Sequence, residues 1–250
     1  MTNIILCGCN GKMGHAVQNL VHQREECSIV AGVDITPQEA SPFPVYASLE
    51  AVQEQAQVVV DFSHPSALSS ILEYCRSHPG TAAVLCTTGY SAEQTQEIQK
   101  AAKELPLFYS RNMSLGVNLL IELAKKAESV LGDDFDVEIV EMHHNQKIDA
   151  PSGTALMIAD AINQVRENSM QYVYDRHSQR KKREKKEIGL HSVRGGSIVG
   201  EHQVIFAGQS EVLTLSHSAQ SKELFAVGAV NAALFMSCKG PGLYDMSHLI

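Results

Sequence analysis

The chain has 250 residues, a formal net charge of −8 at pH 7 and 44% hydrophobic residues. That length suits one large domain or two small ones, with a core that needs no covalent staples. The acidic balance argues against a nucleic-acid partner, and the longest apolar runs fall short of the ~18 residues of a membrane span.

Met1-Thr2-Asn3 runs straight into an apolar stretch with no basic, cleavable leader, so a cytoplasmic protein is expected. The 6 cysteines are scattered, several inside apolar runs, and read as small buried hydrophobes in a reducing compartment. Cys7-Gly8-Cys9 has no second pair at ligand spacing, and no metal site is expected.

Asn3 to Cys7 reads as a buried strand. Gly14 to Arg24 places Ala16, Val17, Leu20 and Val21 at helical spacing. Between them lies Gly8-Cys9-Asn10-Gly11-Lys12-Met13-Gly14, in the strand–turn–helix setting of a dinucleotide loop. Gly8 permits the tight turn, Gly11 lets the backbone approach a pyrophosphate, and Gly14 lets the helix pack closely. The helix N-terminus then points free N–H groups at the phosphates. The spacing is G-x-x-G-x-x-G rather than the commoner G-x-G-x-x-G, and a glycine-rich turn without a ligand is the alternative.

Ser28 to Val33 is a second strand. Asp34 ends it, twenty residues after Gly14. A carboxylate there accepts hydrogen bonds from ribose hydroxyls and repels a 2′-phosphate, which favours NADH. Lys12 pulls toward NADPH, so use of both with NADH preferred is expected. The alternative for Asp34 is an ordinary strand-end turn residue. Val58 to Phe62 is a third strand, followed by a helix from Pro65 to Arg76 with proline in its first turn. Ala82 to Cys86 is a fourth strand. Cys86-Thr87-Thr88-Gly89 closes it with hydroxyls suited to the nicotinamide side of a cofactor, or with a plain turn. A helix capped by Ser91, with Gln94 three residues on, runs to about Glu104. Leu107 to Tyr109 is a fifth strand. This alternation predicts a doubly wound, Rossmann-like parallel sheet.

After Asn112 the pattern changes. Gly116 to Leu131 is a long amphipathic helix, Asp136 to Met142 an alternating strand, and Thr154 to Glu167 another helix. Strand-like runs broken by glycine extend from Gly189 to His217, including His202 to Ala207 and Glu211 to Ser216. They predict a smaller α+β domain with an antiparallel or mixed sheet. Leu224 to Ser237 is helical, apolar on more than one side, and expected to pack back onto the body. The basic run from Arg176 to Glu187 reads first as a solvated loop, then as a loop moving near an anion, and last as a polyanion-binding arm.

The densest chemistry lies in Glu141 to Ala155. His143, His144 and Lys147 cluster just after a strand, and Ser152-Gly153-Thr154 opens a helix. That turn offers N–H groups and hydroxyls to an anion, aided by the helix dipole. His144 and Lys147 add positive charge, and an imidazole at His143 suits proton transfer near neutral pH. The residues therefore predict an anionic substrate with a general acid; a polar loop with a capped helix is the alternative. Adjacent histidines without a third ligand make a poor zinc site.

On these blocks the chain resembles the 4-hydroxy-tetrahydrodipicolinate reductase (dihydrodipicolinate reductase) family of lysine biosynthesis, along essentially its whole length. Gly8–Gly14, Cys86–Gly89, Asn112–Asn118, His143–Thr154, Arg194-Gly195-Gly196 and Val199–His202 carry the likeness. The resemblance implies His143 as general acid or base and Lys147 as a second proton donor. It implies His144 and the Ser152-Gly153-Thr154 turn as binders of substrate carboxylates. Gly8 to Met13, Asp34, Cys86 to Thr88, and Ser110, Arg111, Asn112 and Met113 would line the NADH or NADPH site. It also implies a small dicarboxylate substrate and a homotetramer. The expected division is a dinucleotide-binding domain of residues 1–112 and 221–250 and a substrate-binding and tetramerisation domain of residues 113–220.

Three positions depart from the family's commonest pattern. Cys86 stands where many members have Gly. Ile35 follows Asp34 where members preferring NADPH often have Arg. Lys222 stands where Arg is common. Two rival readings remain: another two-domain dehydrogenase of amino or keto acids, which would not need the His-His-Lys and Ser-Gly-Thr blocks, and a nucleotide-sensing regulator, which could dispense with His143 and Lys147.

Overall fold

The computed structural model describes residues 1–36, 41–178 and 180–250. Gln179, within the basic run, lies outside the described residues. The chain forms two compact units, Met1–Leu115 with Glu223–Ile250, and Gly116–Lys222.

The first unit runs β1 (Thr2–Cys7), α1 (Lys12–Val21), β2 (Cys27–Val33), β3 (Val45–Tyr46), β4 (Val58–Asp61), α2 (Leu68–Ser77), β5 (Ala82–Leu85), α3 (Ala92–Ala101) and β6 (Pro106–Tyr109). The second carries α4 (Leu115–Leu131), β7 (Asp136–His143), α5 (Gly153–Val165), β8 (Gln171–Val173), β9 (Glu187–Arg194), β10 (Gly200–Ala207) and β11 (Val212–Ala219). The chain then returns to the first unit as α6 (Glu223–Met236) and β12 (Gly242–Tyr244).

Seven strands of the first unit lie in the order β12-β6-β5-β4-β1-β2-β3, with every pairing parallel. Successive strand residues face opposite sides. Ile4, Leu6, Val60 and Val84 therefore join one core with Val17 of α1 and Ala229, Val230 and Ala233 of α6. Ile5, Val59, Leu85 and Leu107 join the other with Leu68, Ile71 and Leu72 of α2 and Ile98 of α3. A parallel sheet covered on both faces needs near-continuous apolar strands, and Val58-Val59-Val60 is fully buried. The apolar tail forms α6 and packs into the first of these cores.

The second unit is built on a mixed five-stranded sheet, β11-β10-β7-β9-β8. β10 runs antiparallel to β7 and β11, whereas β9 runs parallel to β7 and β8. Val137, Ile139, Ile188, Leu190, Val204 and Phe206 face α4 and α5 and close a single core with them.

Several boundaries differ from the sequence reading. α1 begins at Lys12, because Gly11 has the extended backbone of an N-cap. The helix expected from Pro65 opens as a 3-10 turn, Pro65–Ala67, before α2. β3, β8 and β12 went unpredicted: two or three residues are too few to show alternation. The basic run is not a wholly solvated loop. Arg183 donates to Asp136 at 2.8 Å, to Glu138 at 2.9 Å and to the Val137 carbonyl at 3.1 Å, and Arg176 donates to Glu138 and Glu187. Two of its guanidinium groups thus clamp sheet carboxylates.

Candidate active site

In the first unit, β1 ends in a turn whose glycines are dictated by space. Gly8 has φ +73°, and a β-carbon there would stand 2.6 Å from the Phe62 carbonyl oxygen. A β-carbon on Gly14 would overlap the carbonyl oxygens of Cys9 and Gly8. Asn10 links this turn to the end of β2. Its N–H donates to Asp34 Oδ2 at 3.1 Å, and its side-chain amide donates to the Thr36 carbonyl at 2.6 Å. Asp34 Oδ1 accepts from Thr36 N–H, so both carboxylate oxygens are oriented at the strand end. Lys12 is exposed at the start of α1, and Met13 is partly covered.

Beside this turn lies a cavity of 390 Å³, with Gly8, Gly11, Asp34, Ile35, Ser63 and His64 among its lining. It opens at the carboxyl ends of β1, β2 and β4, where doubly wound sheets take nucleotides. Its size is that of a small-molecule pocket. The cradle that admits no β-carbon and the carboxylate at the cavity wall fit the adenosine and pyrophosphate of a dinucleotide. Ser63 and His64 carried no role in the sequence reading. The buried Asp61 at the end of β4 accepts from Ser63 N–H and hydroxyl and from the Tyr90 hydroxyl, and so fixes this loop.

Cys86 and Thr87 are buried at the end of β5, while Thr88 is exposed. After β6, the Ser110 hydroxyl donates to the Asn112 carbonyl at 3.0 Å, and Asn112 Oδ1 accepts from Ser114 N–H at 2.8 Å. Arg111 is exposed on this turn, and Met113 is buried beneath it.

In the second unit, β7 alternates so that Val137, Ile139 and Glu141 take buried positions. Glu141 is therefore a fully buried carboxylate. Its Oε2 accepts from His143 Nδ1 at 2.6 Å and from Arg194 Nη1 at 2.8 Å. Its Oε1 accepts from Arg194 Nη2 at 2.7 Å and from Ser152 N–H at 3.1 Å. Burial alone would raise its pKa. Hydrogen bonds from Arg194, Ser192, His143 and Ser152 overcome that and hold the carboxyl at about 2.

Ser152 caps α5, its hydroxyl accepting from Ala155 N–H at 3.2 Å and lying 3.0 Å from His202 Nε2. Gly153 is exposed at the start of that helix, with open space where a β-carbon would stand. His202 is buried, its ring edge-on to His143 at 5.3 Å between centroids. Burial pushes its pKa down to about 4, and the neighbouring His143 adds to that. Lys147 Nζ pairs with Asp149 Oδ1 at 2.8 Å. His144 is partly exposed, and its carbonyl accepts from Lys147 N–H.

The second unit thus brings His143, Ser152, Arg194, Glu141 and His202 together through one hydrogen-bonded network. Glu141, Arg194 and His202 had no assigned role at the level of sequence. Glu141 and His202 each break an alternating buried pattern, Val137-Ile139-Glu141 and His202-Val204-Phe206. A polar residue at a core position was the signal available.

Comparison with known proteins agrees with this geometry. Residues 2–113 match the family model described as dihydrodipicolinate reductase, N-terminus, and residues 116–250 match that described as dihydrodipicolinate reductase, C-terminus. The chain belongs to the dihydrodipicolinate reductase family. Among its curated relatives, the 4-hydroxy-tetrahydrodipicolinate reductase of Caldanaerobacter subterraneus is 51% identical over 250 residues, covering 100% of this chain and 98% of the relative. That of Staphylococcus epidermidis is 41% identical over 247 residues, covering 99% and 100%. A dipicolinate-bound dihydrodipicolinate reductase from Paenisporosarcina sp. TG-14 superimposes with a TM-score of 0.84 at 28% identity, covering all of both chains. Membership makes the chain an oxidoreductase, and its Rossmann-like sheet is that of a pyridine-nucleotide enzyme.

Proposed function

We propose that the chain reduces 4-hydroxy-tetrahydrodipicolinate to tetrahydrodipicolinate, with loss of water, in the diaminopimelate route of lysine biosynthesis. The observation that carries this reading is the His143 imidazole, anchored on a buried carboxylate that also holds the first residue of the Ser152-Gly153-Thr154 turn. One interaction network then joins a proton donor to an anion-binding helix start.

A bound reduced nicotinamide would supply hydride to the conjugated imine ring. Gly8 to Met13 would hold its pyrophosphate, and Asp34 would take the adenosine ribose. Cys86 to Thr88 and Ser110 to Met113 would line the nicotinamide side. Electrons displaced toward the ring nitrogen leave an enamine that must be protonated on carbon. His143 is assigned that proton transfer, with Lys147 as a second donor. His144 and Ser152 to Thr154 grip the carboxylates and hold the ring in one orientation. Lys147 is already paired with Asp149, so a substrate carboxylate would replace one anion by another beside it.

The cofactor assignment is use of both nucleotides with NADH preferred, supported by Asp34 and by an uncharged Ile35 at 93% exposure. The assembly assignment is a homotetramer built on the second unit. Its support is the sheet face opposite α4 and α5, where Val140, Met142 and Ile205 are only partly buried. Multi-angle light scattering at micromolar concentration reads the mass directly, and a monomer would remove this assignment. The assigned location is the cytoplasm, where the buried free thiols Cys7, Cys9, Cys27, Cys75 and Cys86 stay reduced. No helix among the described residues is long and apolar enough to cross a membrane.

The deciding experiment follows oxidation of NADH and NADPH while the preceding synthase generates the ring substrate in the cuvette. Oxidation that depends on the synthase supports the reading. A rate equal to that of nucleotide alone overturns it.

A further inference from the structure

We infer that Glu141 is a positioning residue that fixes His143 as its Nδ1–H tautomer, leaving Nε2 as the nitrogen that exchanges a proton with substrate. This deepens the proposed function and rests on that reading of the site.

The donors around Glu141 decide which His143 nitrogen carries hydrogen. A carboxylate offers about two acceptor sites on each oxygen. On Glu141, Oε2 takes His143 Nδ1 and Arg194 Nη1, while Oε1 takes Arg194 Nη2 and Ser152 N–H. Three of these four donors cannot be anything else: guanidinium and backbone N–H have no acceptor form. Ser192 adds a further hydrogen bond to the same carboxylate. An ionised carboxylate only accepts, so the remaining partner, His143 Nδ1, must also carry hydrogen. Neutral imidazole has one N–H, which leaves Nε2 with its lone pair.

Surroundings at the two nitrogens differ accordingly. Nδ1 is enclosed by Glu141, whose side chain is 1% exposed. Nε2 lies against Gly200, where a β-carbon would stand 3.1 Å away. Glycine at 200 leaves room for the ring there. The Gly195 N–H holds the His143 carbonyl at 2.9 Å, so the backbone behind the ring is held as well.

The proton step then has one direction. The Nε2–H bond of the imidazolium breaks, and its proton goes to the ring carbon of the enamine. The electron pair stays on Nε2, and the Nδ1–H···Glu141 bond is retained throughout. Solvent restores the proton at Nε2. Glu141 itself is held ionised by the bidentate Arg194 guanidinium and takes no proton, which separates its role from that of a general base.

The test begins with the wild-type protein labelled with ¹⁵N-histidine, the His143 signals being assigned by their loss in H143Q. In the neutral form Nδ1 should show the pyrrole-type shift and Nε2 the pyridine-type shift. The opposite tautomer overturns the inference, with no dependence on turnover or on any Glu141 variant folding. In Glu141→Gln, checked for folding by circular dichroism, the fixed tautomer should give way to a mixture. There kcat should fall on the order of 10²-fold, with the KM of the nucleotide unchanged. A folded E141Q with unaltered kcat and tautomer also overturns it. Should the wild type show the Nδ1–H form but no synthase-dependent oxidation, the functional reading fails and the tautomer assignment stands.

Discussion

Two side chains carry the proposed chemistry and selectivity. His143 has its Nδ1 on a buried carboxylate and its other nitrogen beside a glycine. On the proposed roles, replacing the ring would remove proton transfer and leave the carboxylate grip of the helix start. His143→Gln should lower kcat by about 10²–10⁴-fold, with the affinity for dipicolinate, measured by calorimetry, within a few-fold of wild type. A loss confined to affinity would assign His143 to binding instead. Ile35 borders the cavity proposed for the nucleotide at 93% exposure, so a longer side chain fits there without displacing core. Ile35→Arg should raise kcat/KM for NADPH by about tenfold, the worth of a charge-assisted hydrogen bond to a 2′-phosphate. Side-by-side kinetics with both nucleotides read the ratio, and an unmoved ratio would remove position 35 from the recognition of that phosphate. At this scale the sequence showed the histidines, the lysine and the capping turn, because they are contiguous. It placed Arg194 and His202 in family-like blocks but gave them no role, because β9 and β10 bring them in from 50 or more residues away.

At the scale of elements, β1, its turn and α1 act as one piece. A β-carbon on Gly14 would overlap the carbonyl oxygens of Gly8 and Cys9, inside the turn proposed to meet the phosphates. Ala exceeds Gly in helix propensity by about 1 kcal/mol, but overpacking costs about 1–3 kcal/mol, so the clash wins. Gly14→Ala should therefore weaken NADH binding, read by fluorescence titration, and lower the unfolding midpoint of the first unit. Tighter binding would mean that α1 adjusts freely on the sheet. Strands β1, β2, β4, β5 and β6 and the helices between them were legible because each is a solid apolar run or a 3.6-residue stripe. The edge strands β3, β8 and β12 were not. Their place is set by a neighbour's free edge, as when Gly242–Tyr244 lines up on Pro106–Phe108, and not by any pattern of their own.

At the scale of the whole molecule, the buried network of the second unit makes stability depend on acid in two ranges. Burial holds His202 at about 4, below the ordinary 6.5. Between those values the unfolded chain binds a proton that the folded chain does not, so stability falls as pH drops from 6.5 to 4 and then levels for this group. Glu141, held at about 2 against an ordinary 4.5, stabilises the fold above 4.5, and that contribution is lost as pH falls toward 2. Each shift corresponds to about 3 kcal/mol. Urea unfolding from pH 7 to 3 should show the decline, and His202→Gln should flatten its upper part; an unchanged slope would exonerate His202. The interleaving of the chain also governs how it is made. Helix α6 covers one side of a sheet whose Ile4, Leu6, Val84 and Phe108 were synthesised long before it. At ribosomal rates of about 5–20 residues per second, roughly 6–25 s separate Tyr109 from Met236. Throughout that interval the nascent sheet leaves the exit tunnel with that greasy side covered by α1 but not by α6, so the region translated first is the last to be completed, and a chain released early lacks the helix that would close it.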